Sequence, residues 1–98
     1  MAYEIRIAPA AERAIAKLPT PIQTAVLVKL EELAEEPRPA GCEKVQGLTK
    51  HGVFRVKVES DYRIVYQVRD EAAWILVVKV ADRKEVYRRL DDLKQYLK

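Results

Sequence analysis

Hydrophobic and polar positions change rhythm several times along the chain, and each rhythm selects an element. Residues 3–8, YEIRIA, alternate Tyr3, Ile5 and Ile7 against Glu4 and Arg6, the period of a half-buried strand. Pro9 suits the first position of a helix, where its missing N–H has no partner to lose. AAERAIAKL then sets Ala11, Ile15 and Leu18 at helical spacing among strong helix formers, and Pro19 stops the run. Thr20 with Gln23 reads as a T-x-x-Q capping box, with Pro21 at the first helical position. Ile22, Val26, Leu30 and Leu33 make one apolar stripe, which Pro37 closes. Two helices joined so tightly predict an antiparallel helical hairpin.

Residues 37–52, PRPAGCEKVQGLTKHG, keep no period and predict a long loop. Strands are expected at about 53–59, 62–70 and 73–81. In the last of them Trp74, Ile75, Leu76, Val77 and Val78 run apolar on both faces, as in a strand covered on both sides. Asp82 and Glu85 give an Asp-x-x-Glu start to a final helix, whose stripe of Val86, Leu90, Leu93 and Leu97 is narrow. The order β-α-α-β-β-β-α is that of an α+β domain. It predicts a small, largely antiparallel sheet, a helical hairpin on one face and a C-terminal helix. A single domain accounts for residues 1–98. The helical hairpin should leave the other sheet face open.

The hairpin FRVKVESDYRIVYQVRD, residues 54–70, turns that open face into a question of chemistry. If Phe54, Val56 and Val58 point to the core, Arg55 and Lys57 point away. A two-residue loop of Ser60 and Asp61 would set Lys57 against Ile64 and mix the faces, a costly slip where one face is buried. A three-residue loop or a bulge that pairs Glu59 with Arg63 and Lys57 with Val65 keeps the faces apart. Arg55, Lys57 and Arg63 then stand together. No run of acids faces them, and Glu59 is their one obvious partner. Like charges this close cost energy unless offset. The cluster is therefore either a solvated strand surface or a site for phosphate.

Composition narrows the choice. The formal charge is +3 and the pI about 9.1, a mild basic bias that admits a nucleic-acid partner without requiring one. With 49% hydrophobic residues the chain can fill a core. The single cysteine, Cys42, forms no internal disulfide and suits a reducing compartment. No apolar run reaches the ~18 residues of a membrane span and no secretory h-region is present, so a cytoplasmic location is expected. His51 is the only histidine, which leaves histidine triads and histidine metal sites almost nothing to work with. Phosphate-cradling glycine motifs and paired-cysteine zinc spacings are missing too, so no cofactor is expected. Glu35-Glu36 and Asp91-Asp92 read as solvated helix faces.

What remains is basic and aromatic: Arg55, Lys57, Arg63, Arg83 and Tyr87, the last two one helical turn apart. RNA cleavage through the ribose 2′-OH needs a base, cations for the phosphorane-like charge and an acid for the leaving 5′-oxygen. A metal is optional there. A free lysine titrates near ~10.4, and neighbouring cations move it in the direction that a base requires.

FRVKVESDYRIVYQV and DRKEVY, together with the opening AYEIRIAPAAERAIAKL, the helix end LEELAEEPRP and the KVQGL segment, resemble RelE-type toxins of the RelE/ParE superfamily of toxin–antitoxin systems. The resemblance runs over nearly the whole chain, and DYRIVYQV is its most specific part. It implies an mRNA endonuclease that cuts codons in the ribosomal A site without a metal. A cognate RelB-like antitoxin would silence it with an acidic amphipathic segment, and oligomers would form through that complex. It also implies roles. Lys57 matches the general base, Arg63 the arginine that steadies transition-state charge, and Tyr87 the tyrosine that orients or stacks on the nucleotide. Arg83 matches the later arginine proposed as acid. Arg55 stands where the family often has lysine and would stabilise charge without moving a proton. Two rival readings are a ParE-like inhibitor that binds DNA gyrase and an RNA-binding module without catalysis. The final helix would either be displaced by the antitoxin, taking Tyr87 with it, or stay packed while the antitoxin blocks access.

Overall fold

Among the described residues of the computed structural model seven elements follow one another: β1 (Glu4–Ile7), α1 (Pro9–Ala16), α2 (Thr20–Glu35), β2 (Glu43–Lys44), β3 (Val53–Val58), β4 (Tyr62–Arg69) and β5 (Trp74–Asp82). The structure describes residues 2–48, 52–86 and 88. Tyr87, His51 and the expected helix positions Leu90, Leu93 and Leu97 lie outside the described residues.

The strands form one sheet in the order β1-β5-β4-β3-β2, with β1 parallel to β5 and every other pair antiparallel. This is the expected α+β arrangement. Val26, Leu30 and Leu33 of α2 and Ala11 of α1 are buried against Phe54, Val56, Val58, Ile64, Tyr66, Ile75 and Val77. Ile15, Leu18 and Ile22 pack half-buried beside them. The helical stripes read from the sequence are thus the surfaces that meet the sheet.

The capping box expected at Thr20 does not form. Pro19, extended at φ −54° and ψ 145°, is the N-cap, and its carbonyl accepts the N–H groups of Ile22 (2.9 Å) and Gln23 (3.0 Å). α2 therefore begins one residue early. The Gln23 amide instead donates to the carbonyls of Leu18 (2.8 Å) and Ala16 (3.2 Å), stapling α2 to the end of α1.

Residues 37–52 are not all loop. Glu43 and Lys44 pair with Arg55 and Phe54, and the Val45 N–H reaches the Val53 carbonyl at 3.1 Å. Val45 and Leu48 are buried with Val53, Val65, Val78 and Val86 in a second apolar cluster on the sheet face away from the helices. That face is consequently not bare, as the sequence suggested. Its middle carries a small core, and the polar residues surround it.

The β3–β4 register also differs from the expected pairs. Val58 faces Tyr62 and Lys57 faces Arg63, leaving Glu59, Ser60 and Asp61 as the loop. Glu59 (φ 51°) and Ser60 (φ 57°) adopt left-handed backbone, the twist that closes a tight hairpin. The shift from the expected pairing is two residues, so every side chain keeps its face.

β5 is covered on both faces as anticipated, but by way of a bulge. Tyr66 pairs with Val77 and Val65 with Lys79, which leaves Val78 as the extra residue. Simple alternation would have carried Lys79 under the helices beyond Ile75 and Val77. The bulge turns Lys79 to the other face and places Val80 in the main core.

Candidate functional site

Cross-strand pairing brings Lys57 and Arg63 directly opposite each other, with Arg55 two pairs further along beside Val65. Val53 and Val65 belong to the cluster away from the helices, so Arg55, Lys57 and Arg63 share that face, as expected. Lys57 is exposed, and Arg55 and Arg63 are half-buried. The Lys57 position also borders a groove formed with Ala25, Val28, Lys29 and Glu32 of α2 and with Glu59 of the loop, because β2 is too short to cover this end of β3.

One expectation about the cluster is overturned. Arg55 does have an acidic neighbour: its Nη2 lies 2.9 Å from Oε1 of Glu43 on β2. The unforeseen strand β2 delivers that carboxylate, which is why the hairpin sequence gave no sign of it. Arg63 donates through Nη1 to the carbonyls of Ser60 (2.6 Å) and Tyr62 (3.0 Å). Those bonds hold its guanidinium at the hairpin tip.

Arg83 reaches the same end of the sheet by another route. Its N–H donates to the Asp61 carbonyl at 2.7 Å, tying the start of the last segment to the hairpin loop. Asp82 caps the following turn, its Oδ1 accepting the N–H groups of Lys84 and Glu85, both at 2.9 Å. The sequence made Asp82 the start of a final helix; residues 83–86 form turns, and the remaining helix positions lie outside the described residues. Val86 is then buried in the second cluster. The structure therefore assembles Lys57, Arg63 and Arg83 around one end of the hairpin, with Arg55 one step inward. Tyr87 lies outside the described residues.

Lys79 is a member of this neighbourhood that alternation could not find. It stands across Val65 from Arg55, and its Nζ donates to the carbonyl of Arg88. The bulge at Val78 is what puts it there.

A second polar group supports the opposite end of the hairpin. Arg38 forms a two-pronged pair with Asp70, at 2.7 and 3.2 Å, and the Tyr3 hydroxyl donates to the same carboxylate at 2.7 Å. Both bonds hold the Asp70 carboxyl below its ordinary range, Arg38 foremost. The buried Tyr66 hydroxyl donates to the Pro37 carbonyl at 2.8 Å, and burial pushes its pKa far up. Arg38 also lies over the Phe54 ring, 5.2 Å from its centroid. Together these contacts fasten the chain leaving α2 to β4.

Comparison with known proteins gives these residues a context. The family described as the ParE toxin of the type II toxin–antitoxin system parDE matches residues 5–87. Toxin RelG of Mycobacterium tuberculosis is 31% identical over 90 residues, which cover 91% of this chain and all of RelG. Escherichia coli toxin RelE, solved in the free state as a variant with two arginines changed to alanine, superposes with a TM-score of 0.77. It is 30% identical, with 94% of this chain and 97% of that one covered. The toxin of the intact E. coli RelBE toxin–antitoxin complex superposes with a TM-score of 0.70 at 32% identity, covering 82% of this chain and 95% of that one.

Proposed function

Since the chain belongs to the ParE toxin family of type II toxin–antitoxin systems, within the RelE/ParE superfamily, we propose that it is the RelE-type toxin that cuts mRNA on the ribosome and is silenced by a cognate antitoxin. The observation that carries this reading is the Lys57–Arg63 cross-strand pair, with Arg55 and Arg83 beside it. Two cations directly opposed on an accessible face cost energy in the free protein, and a phosphate between them would offset that cost.

In this reading Lys57 takes the proton of the ribose 2′-OH as the oxygen attacks the adjacent phosphorus. Arg63 and Arg55 stabilise the charge that builds on the phosphoryl oxygens, and Arg83 supplies the proton for the departing 5′-oxygen. A guanidinium carries five N–H donors, and the bonds to Ser60 and Tyr62 engage only Nη1 of Arg63. Nε and Nη2 are the donors assigned to phosphate. The Arg55–Glu43 pair is exposed on its acidic side, and pairs of this kind contribute only about 0–1 kcal/mol, so phosphate can replace the carboxylate. Tyr87 would orient or stack on the nucleotide.

The partners assigned in this reading are translating ribosomes with their mRNA and an antitoxin with an acidic amphipathic segment, all in the cytoplasm. E. coli RelE and the archaeal RelE of Pyrococcus horikoshii have both been solved in complex with RelB, which supports the antitoxin assignment. The matching family is named for ParE, and that favours one second reading: a gyrase inhibitor that acts by binding. Primer extension on a translated message separates the two, because only the nuclease leaves new 5′ ends. DNA supercoiling by purified gyrase tests the alternative directly.

A further inference from the structure

Trp74 is the only tryptophan of the chain and opens β5 on the face away from the helices. It pairs with Glu4 of β1 on one side and Arg69 of β4 on the other. The Arg6 guanidinium lies 5.0 Å from its ring centroid and that of Arg69 5.6 Å. Two flanking strands thus bring a cation each onto one half-buried indole. Carboxylates steady both: Glu4 accepts from Arg6 at 3.2 Å and Glu71 from Arg69 at 2.7 Å.

This group differs in kind from the Lys57–Arg63 end of the same face. There, cations predominate. Around Trp74 the two arginines are matched by two carboxylates, so the local charge is balanced and phosphate alone gains little. The planar surfaces are what stand out: an indole and two guanidiniums, the groups on which unpaired RNA bases stack. Arg69 and Arg63 mark opposite ends of β4, about 20 Å apart at ~3.3 Å per residue. Between them Val65 and Gln67 are fully buried and the small apolar cluster covers the middle of the face, so a strand joining the two ends would skirt that cluster, past Arg55 and Lys79 at its rim.

We propose that Trp74, Arg6 and Arg69 form a stacking station for a base of single-stranded RNA, several nucleotides away from the phosphate held at Lys57 and Arg63. The inference rests on the RNA-directed reading above and extends it from the cleavage point to a second contact on the same face.

The lone tryptophan makes the test direct. Purified protein is titrated with a mixed-sequence single-stranded oligoribonucleotide carrying a fluorophore, following Trp74 emission and RNA anisotropy together. Saturable quenching with the same midpoint as the anisotropy change is expected, while base-free polyphosphate leaves the emission unchanged. Arg6→Ala/Arg69→Ala and Trp74→Ala should weaken RNA binding about tenfold each, with Trp74→Phe retaining most of it. Binding by anisotropy with Trp74 emission unmoved would overturn the station. So would undiminished binding in the double arginine variant, or quenching by polyphosphate equal to that by RNA. Quenching by an acidic peptide but not by RNA would assign the surface to a protein ligand and overturn it as well. Cleavage of translated mRNA is scored separately: cleavage without quenching rejects only the station, and quenching without cleavage rejects only the nuclease.

Discussion

Lys57 on β3 and Arg63 on β4 are directly opposed across the hairpin, with neither carrying an ion pair among the described contacts. Directly opposite side chains in a sheet have Cβ atoms about 5 Å apart, so two cations there repel. The fold supports the arrangement from beneath, where Val56, Val58 and Ile64 are buried against α2 and the rest of the core. Packing on one face fixes what must meet on the other.

The hairpin turn itself is strained. Glu59 and Ser60 hold positive φ, which asparagine and glycine adopt with less cost. Replacing the pair by Asn-Gly should stabilise the protein by about 1 kcal/mol, raising Tm by roughly 4–8 °C. Thermal unfolding followed by circular dichroism measures it. An unchanged or lowered Tm would mean that these two residues are not strained in the folded protein.

Gly52 is required for the opposite reason. At φ +70°, a Cβ added there would lie 3.0 Å from the Val68 carbonyl oxygen. Gly52 also accepts the Val68 N–H at 2.9 Å, so the contact is built into the sheet. Gly52→Ala should destabilise by more than ~1 kcal/mol, read as a lower denaturation midpoint in urea with the slope unchanged.

The hairpin faces and the helical stripes were legible because one buried face forces a two-residue period in strands and a three-to-four-residue period in helices. Three features were not. β2 has only two residues, too few for any period, and it brought the Glu43 carboxylate to Arg55. The bulge at Val78 reversed the face of Lys79, and nothing in a run of valines announces a bulge. Cation–π contacts between Trp74 and the arginines join three strands, so they emerge only once the sheet order is known. Of the candidate site, the face shared by Arg55, Lys57 and Arg63 was readable; the turn of Arg63 onto the loop carbonyls was not.

Acid should loosen the far end of the hairpin. Arg38 and Tyr3 bond the ionised Asp70, and its pKa is lowered in the folded protein. A depressed carboxylate contributes stability above its unfolded pKa of ~3.9, and that contribution is lost as pH falls through the folded value. Stability measured from pH 6 downward should therefore drop at about pH 4 and below. Asp70→Asn should flatten that part of the profile; an identical drop in the variant would assign it to other carboxylates.

The measurement that bears most directly on function is primer extension on an mRNA translated in a cell extract, with wild-type protein and with Lys57→Ala. New 5′ ends within the coding region are expected only while ribosomes translate. The Lys57→Ala variant should reduce them by roughly 10²-fold or more. Its Tm should stay within a few degrees of wild type, because the side chain is exposed. An intact message alongside inhibited gyrase supercoiling, or equal cleavage by wild type and the stably folded variant, would contradict the assignment of Lys57 as the base of an RNA-cutting toxin.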